Sequence, residues 1–175
     1  MVKKGQEVNA GEPFKRRYSN ILMSKVGFLL SKKNGEFMNG QDIRWQQRFS
    51  NFTKAFLQLK KFIDKGDLSE LEMQGLVKAF EYTYELAWTT IKDFLEYRGQ
   101  SDIYGSRDAI RKAFQLGLVE DGALWMDMLQ SRNKTSHTYN EETAREICRA
   151  VTEDYYPAFK QLLDKLTHLR SDVER

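Results

Sequence analysis

The chain has 175 residues, a length that suits one domain able to bury its own core without disulfide or metal staples. Its 41% hydrophobic and 30% charged residues exclude an intrinsically disordered or membrane-embedded chain. The single cysteine, Cys148, allows no internal disulfide and two histidines are too few for a structural zinc site, so no metal, no cofactor and a reducing, cytoplasmic setting are expected.

The net charge of +3 is unevenly spread. Residues 1–40 carry eight Lys/Arg against three Asp/Glu, and the other 135 residues carry twenty against twenty-two, so the folded part is close to neutral. That balance argues against a broad nucleic-acid-binding face. The basic start, with Lys3, Lys4, Lys15, Arg16 and Arg17 before a semi-apolar run from Tyr18 to Leu30, lacks both the unbroken apolar stretch and the cleavage site of a signal peptide. It is also too short to span a bilayer. Residues 1–40 are read as a poorly ordered or loosely docked extension, with Met38 as an alternative start, and residues 41–170 as the folded domain.

From Asp42 the helical period is strong. Trp45, Phe49, Phe52, Phe56, Leu59 and Phe62/Ile63 recur at steps of three and four, which predicts one long helix ending at Gly66. Ser69 and Glu72 form a capping-box signature opening a second helix, whose stripe runs from Met73 through Leu76/Val77, Phe80, Tyr84, Ala87/Trp88 and Ile91 to Phe94/Leu95 and stops near Gly99. After a polar connection, Ser106 is expected to cap a short helix carrying Ala109, Ile110, Ala113 and Phe114, closed by Gly117. Asp121 and Gly122 begin a fourth, with Leu124, Trp125, Met128 and Leu129 as its apolar contacts and Arg132 near its end. Asn140 caps a fifth, running to about Leu166 and kinked by Pro157. The fold class is therefore all-α: an antiparallel up-and-down helical bundle of four long helices and one short helix.

Motifs narrow the chemistry by their absence. The chain has no phosphate-binding Gly-rich loop, no Gly-x-Ser-x-Gly elbow, no His-Glu-x-x-His and no Cys-x-x-Cys. Gly105-Ser106 is shared with nucleotidyltransferases, but those also need an Asp-x-Asp to hold magnesium, and none occurs. What remains is Arg132-Asn133-Lys134-Thr135-Ser136-His137-Thr138-Tyr139. A metal-free ribonuclease must deprotonate a 2′-hydroxyl, protonate a leaving oxygen and neutralise charge on a phosphorane-like transition state. His137 suits the proton transfers, the planar fork of Arg132 suits phosphate oxygens, and Asn133 and Tyr139 add hydrogen bonds. Five residues along a regular helix turn by about 140°, so one uninterrupted helix cannot make Arg132 and His137 converge. Either the helix breaks between them or copies of the motif face each other in a two-fold dimer. The plainer alternative is that Arg132, His137 and Tyr139 only satisfy a helix end. Asp127 could orient Arg132 or His137, or simply face solvent. His168 is read as a solvent-facing helix-end residue, Cys148 as a packing thiol and Glu81/Glu85 as a solvated i, i+4 pair.

Three blocks, Phe80-Glu81-Tyr82-Thr83-Tyr84-Glu85-Leu86-Ala87-Trp88, Ser106-Arg107-Asp108-Ala109-Ile110-Arg111-Lys112-Ala113-Phe114, and Leu124-Trp125 through Arg132-Asn133 to Ser136-His137-Thr138-Tyr139, resemble the nucleotidyltransferase substrate-binding proteins of the HEPN superfamily. The likeness spans roughly residues 42–166, and residues 1–40 have no counterpart. It implies a five-helix bundle that forms a homodimer and associates with a minimal nucleotidyltransferase encoded beside it. It further implies a metal-independent endoribonuclease with Arg132, Asn133 and His137 as its catalytic motif, shared across the dimer. In the toxin–antitoxin branch, the pattern Arg-x4-His-x-Tyr falls on Arg132, His137 and Tyr139, and the transferase antitoxin silences the toxin by AMPylation of the tyrosine. The family's name carries a different expectation, a non-catalytic subunit that binds a nucleotide or other small substrate for a two-component nucleotidyltransferase.

Overall fold

The computed structural model describes residues 40–137 and 140–173, all within the second of the two units into which the chain divides, Met38–Arg175. The expectation for residues 1–40 lies outside the described residues, apart from Gly40 itself. The helices are α1 (Gly40–Lys65), α2 (Glu70–Tyr97), α3 (Ser106–Gln115), α4 (Gly122–Lys134), α5 (Glu141–Ala150) and α6 (Tyr156–Val173). A 3-10 turn at Thr135–His137 follows α4, and a π-helical segment, Val151–Tyr155, joins α5 to α6. No strand occurs among the described residues.

The sequence signals account for the ends. The left-handed backbone after α1 is at Gly66, with φ 75°, and Gly99 (φ 79°) and Gly117 (φ 67°) follow α2 and α3 in the same conformation. Ser69 and Glu72 close both halves of the capping box. Asp121 accepts from the Leu124 N–H at 2.9 Å, and Asn140 accepts from Glu142 and Thr143. One expectation is corrected: the cap of α3 is Gly105, which has no side chain to offer, and Ser106 is the first helical residue.

The single kinked helix expected after Asn140 is instead two α segments joined by the π turn. Pro157 explains it. A proline has no N–H to return to the carbonyl four residues back, and the ladder responds by widening, so that the Tyr156 N–H reaches the Val151 carbonyl five residues back.

Aromatic side chains show how the helices pack. Trp45 at the start of α1 meets Phe94 and Tyr97 at the end of α2, with centroids 5.2 and 5.9 Å apart, which makes the pair antiparallel. Their far ends are equally close, since a Cβ on Gly75 would stand 3.0 Å from the Phe62 ring. Phe159 of α6 contacts Phe52 of α1, Phe80 of α2 and Trp125 of α4 at 6.2, 6.3 and 5.6 Å. One fully buried ring thus joins four elements of an up-and-down bundle, and removing it would cost about 3–5 kcal/mol. The predicted stripes are buried or, at Phe62, Ile63, Met73, Trp88, Leu124 and Leu129, partly buried against the core, with one correction: Phe114 is 52% exposed on α3. A polar clamp unseen in the sequence ties α1 to α2, where Asp93, its side chain 5% exposed, pairs with Arg44 at 3.2 Å and with Arg48. No helix among the described residues is long and apolar enough to cross a membrane.

Candidate functional site

The end of α4 is held by its own next residues. Thr135 donates both its backbone N–H and its hydroxyl to the Arg132 carbonyl, the latter at 2.7 Å, and the Ser136 hydroxyl donates to the Asn133 carbonyl at 3.2 Å. These contacts occupy carbonyls that a helix end leaves orphaned. The chain then tightens into the 3-10 turn that ends at His137. At about 100° per α residue and about 120° per 3-10 residue, backbone positions 132 and 137 lie roughly 160° apart around the axis, wider than in a regular helix. The side chain of His137 and the whole of Tyr139 lie outside the described residues.

Arg132 is anchored across the bundle. Its Nε donates to Glu85 Oε1 on α2 at 2.6 Å, and the other carboxylate oxygen, Oε2, accepts from the Trp88 indole N–H at 2.7 Å. Trp88 lies one helical turn after Glu85, so α2 itself fixes the carboxylate rotamer that receives Arg132. Glu85 is therefore not a solvated partner of Glu81, which pairs instead with Lys78 at 3.2 Å. The Arg132 and Glu85 side chains are 35% and 39% exposed, and a pair so wet contributes at most about 1 kcal/mol to stability. Its main consequence is orientation. Among the described residues, Nε is the one guanidinium donor with a hydrogen-bond partner, which leaves the terminal nitrogens for a ligand.

The preceding turn of α4 is tied to the π segment. Tyr155 donates to Asp127 Oδ2 at 2.6 Å, and its hydroxyl lies 2.8 Å from that of Ser131. Burial first, then the hydrogen bond to Asp127, pushes the Tyr155 phenol well above its ordinary value. Asp127 thus serves Tyr155, and no hydrogen bond or ion pair joins it to Arg132 among the described residues. Tyr84, one residue before Glu85, has a buried hydroxyl without a hydrogen bond of ordinary geometry among the described residues. Burial pushes its pKa up to about 12, against the opposing influence of the nearby Ser106 hydroxyl and the Arg132 guanidinium.

Of the residues expected from the sequence, Arg132 is half-buried at the end of α4 and Asn133 is exposed beside it. Cys148 is a packing thiol: its Sγ donates to the Met73 carbonyl at 3.5 Å, and burial pushes its pKa up to about 11. His168 is exposed near the end of α6. Glu85, Trp88 and Tyr155 were not found by sequence reasoning. The Glu85/Trp88 spacing was visible, but the partner of Glu85 is 47 residues away, and helical period carries no information about contacts at that distance.

Residues 47–168 match the family model described as nucleotidyltransferase substrate binding protein like. A Haemophilus influenzae protein called probable ribonuclease HepT is 33% identical over 96 residues, covering 53% of this chain and 65% of that relative, just under two thirds of its length. A solved structure from Thermus thermophilus has a TM-score of 0.62 at 32% identity, covering 66% of this chain and 98% of the other. Another from Haemophilus influenzae, described as revealing the fold of a substrate-binding domain of a nucleotidyltransferase, has a TM-score of 0.53 at 27% identity and covers 70% and 96%.

Proposed function

The chain belongs to the nucleotidyltransferase substrate-binding-protein-like family, and on that premise we propose that it is a metal-independent endoribonuclease of the HEPN type. It acts as a homodimer and a toxin in the cytoplasm, with residues 41–170 as the working domain. The observation that carries this reading is the Arg132 guanidinium, held through Nε by Glu85 with its terminal nitrogens without a hydrogen-bond partner among the described residues, five residues before His137. A phosphate offers two oxygens to such a fork. The 2′-hydroxyl gives up its proton, attacks the adjacent phosphorus and expels the 5′-oxygen, which takes up a proton. His137 is the candidate for one of those transfers, Arg132 for neutralising the charge on phosphorus and Asn133 for a supporting hydrogen bond. The wide angle between backbone positions 132 and 137 favours a site completed by a second copy of the chain.

In this reading a partner minimal nucleotidyltransferase silences the enzyme by AMPylation of Tyr139, two residues after His137. The added phosphate would pair with Arg132 and exclude that of RNA. The test is cleavage of cellular RNA by the purified chain in excess chelator, alone and after incubation with the partner and ATP. Arg132→Ala and His137→Ala should abolish cleavage, and Tyr139→Phe should cleave but take no adduct. Cleavage by wild type that both alanine variants retain would reject the reading.

A second reading has one observation in its favour. Residues 41–175 carry twenty Lys/Arg against twenty-two Asp/Glu, a poor surface for a polyanion whose affinity rests on phosphate neutralisation. It makes the chain a non-catalytic subunit that presents a small substrate to the nucleotidyltransferase. No RNA cleavage, together with small-molecule binding lost in Arg132→Ala, would favour it.

A further inference from the structure

We propose that Glu85, with Trp88 behind it, is a positioning residue that aims Arg132 at the phosphate, an inference that rests on the ribonuclease reading. An arginine side chain has several rotatable bonds, and a free one would leave its fork in many orientations. Here the fork is fixed from one edge: Glu85 Oε1 takes Nε at 2.6 Å while Oε2 is held by the Trp88 indole at 2.7 Å. An indole N–H can only donate, so it holds the carboxylate without competing for Arg132. A guanidinium presents separate edges, and a carboxylate on the Nε edge leaves the pair of terminal nitrogens to meet two phosphate oxygens in its plane.

The fold does not need this bridge. The Phe159 ring already joins α2 to α4 through Phe80 and Trp125. Both members of the ion pair are more than a third exposed. The carboxylate also carries an electrostatic cost, because it offsets part of the charge Arg132 offers to phosphate. Removing it therefore has two opposite effects. Attraction for RNA is retained or rises, while the productive orientation is lost, and a misplacement of about 1 Å at a reacting centre can slow the chemistry by about 100-fold. A residue that only supported the fold would not divide KM from kcat in this way.

The experiment compares wild type, Glu85→Ala, Glu85→Gln and Trp88→Phe on a short single-stranded RNA, with circular dichroism to establish folding and nitrogen-15 spectra to follow the Arg132 Nε–H signal, assigned with Arg132→Lys. Glu85→Ala should lower kcat by about tenfold to 100-fold with KM unchanged or lower, and should broaden or shift the Nε–H signal. Glu85→Gln, which keeps an acceptor oxygen for Nε, should fall between it and wild type, and Trp88→Phe should move in the same direction by less. An Nε–H signal unchanged in Glu85→Ala overturns the inference, and so does unchanged kcat in a folded variant. If wild type cleaves no RNA, the ribonuclease reading fails by itself. The Nε–H signal then decides the positioning: its loss in Glu85→Ala and retention in Glu85→Gln support it, and its persistence in both overturns it.

Discussion

The hydroxyls of Ser131 and Tyr155 meet at 2.8 Å, so the residue immediately before Arg132 is bonded to the last residue of the π segment. The widened turn that Pro157 imposes therefore supports α4 next to the candidate site. Asp127 completes the contact from one turn earlier, accepting from the same phenol at 2.6 Å.

Tyr155→Phe tests that support. The ring would keep its stacking on Phe80, with centroids 5.3 Å apart, and only the hydroxyl would go. Ser131, 9% exposed, would lose its side-chain partner, and a buried polar group so orphaned costs about 1–3 kcal/mol. At about 2–4 °C per kcal/mol for a chain of this size, a fall in melting temperature of about 2–12 °C is expected. A melting curve superimposable on wild type would show that the bond contributes nothing.

Tyr84 gives a prediction of the opposite sign. Its hydroxyl is buried without an ordinary hydrogen bond among the described residues, so Tyr84→Phe should be neutral or stabilising by up to about 1 kcal/mol at neutral pH. The pH dependence follows from a pKa raised to about 12 by burial. A phenol whose pKa rises on folding makes the native state the better proton binder, so the unfolded state ionises first. Wild-type stability is therefore insensitive to this group below about pH 10 and falls as pH climbs towards 12. Urea midpoints between pH 9 and 11 should fall more steeply for wild type than for Tyr84→Phe, and parallel curves would contradict this.

At the start of α2 the linkage runs the other way. The Lys65 ammonium, then the backbone N–H and hydroxyl of Ser69, hold the Glu72 carboxyl down at about 2. A depressed carboxyl contributes stability above the ordinary range near 4.5, and that contribution is lost as pH falls towards 2. Glu72→Gln should therefore flatten the acid limb of the stability curve, and Ser69→Ala should lower stability by about 1 kcal/mol at neutral pH. Identical acid limbs for wild type and Glu72→Gln would show that the capping box is not titrating.

This capping box was legible because both its members lie within four residues, and Gly66, Gly99 and Gly117 were legible as stops because a positive φ is a local demand. The stripe from Trp45 to Leu59 was equally plain, since one face of a helix is written in its own period. Arg132 and His137 stood out because the chemistry of a metal-free ribonuclease asks for those residue types. Glu85 did not, because a carboxylate on a long helix looks the same whether it faces water or an arginine 47 residues away. Pro157 announced a disturbance but not its form: a kink and a π turn satisfy the missing N–H equally well, and the buried contacts of Tyr155 are seen only once α4 lies against it.

The angle at the end of α4 leads to a test of how the proposed site is assembled. With backbone positions 132 and 137 roughly 160° apart, a functional pairing of Arg132 from one chain with His137 from the other requires a two-fold dimer. Arg132→Ala and His137→Ala would each be inactive alone, since every site in either dimer lacks one member. In a mixed dimer, one site collects both substitutions and the other collects neither. Random exchange puts about half of all chains in mixed dimers, each with one intact site, so an equimolar mixture should recover about a quarter of wild-type cleavage. A site built within a single chain predicts no recovery at any ratio. The comparison needs subunit exchange, which sedimentation and a mass label on one variant would verify, and a chain that sediments only as a 20.6 kDa monomer at micromolar concentration would reject the shared site outright.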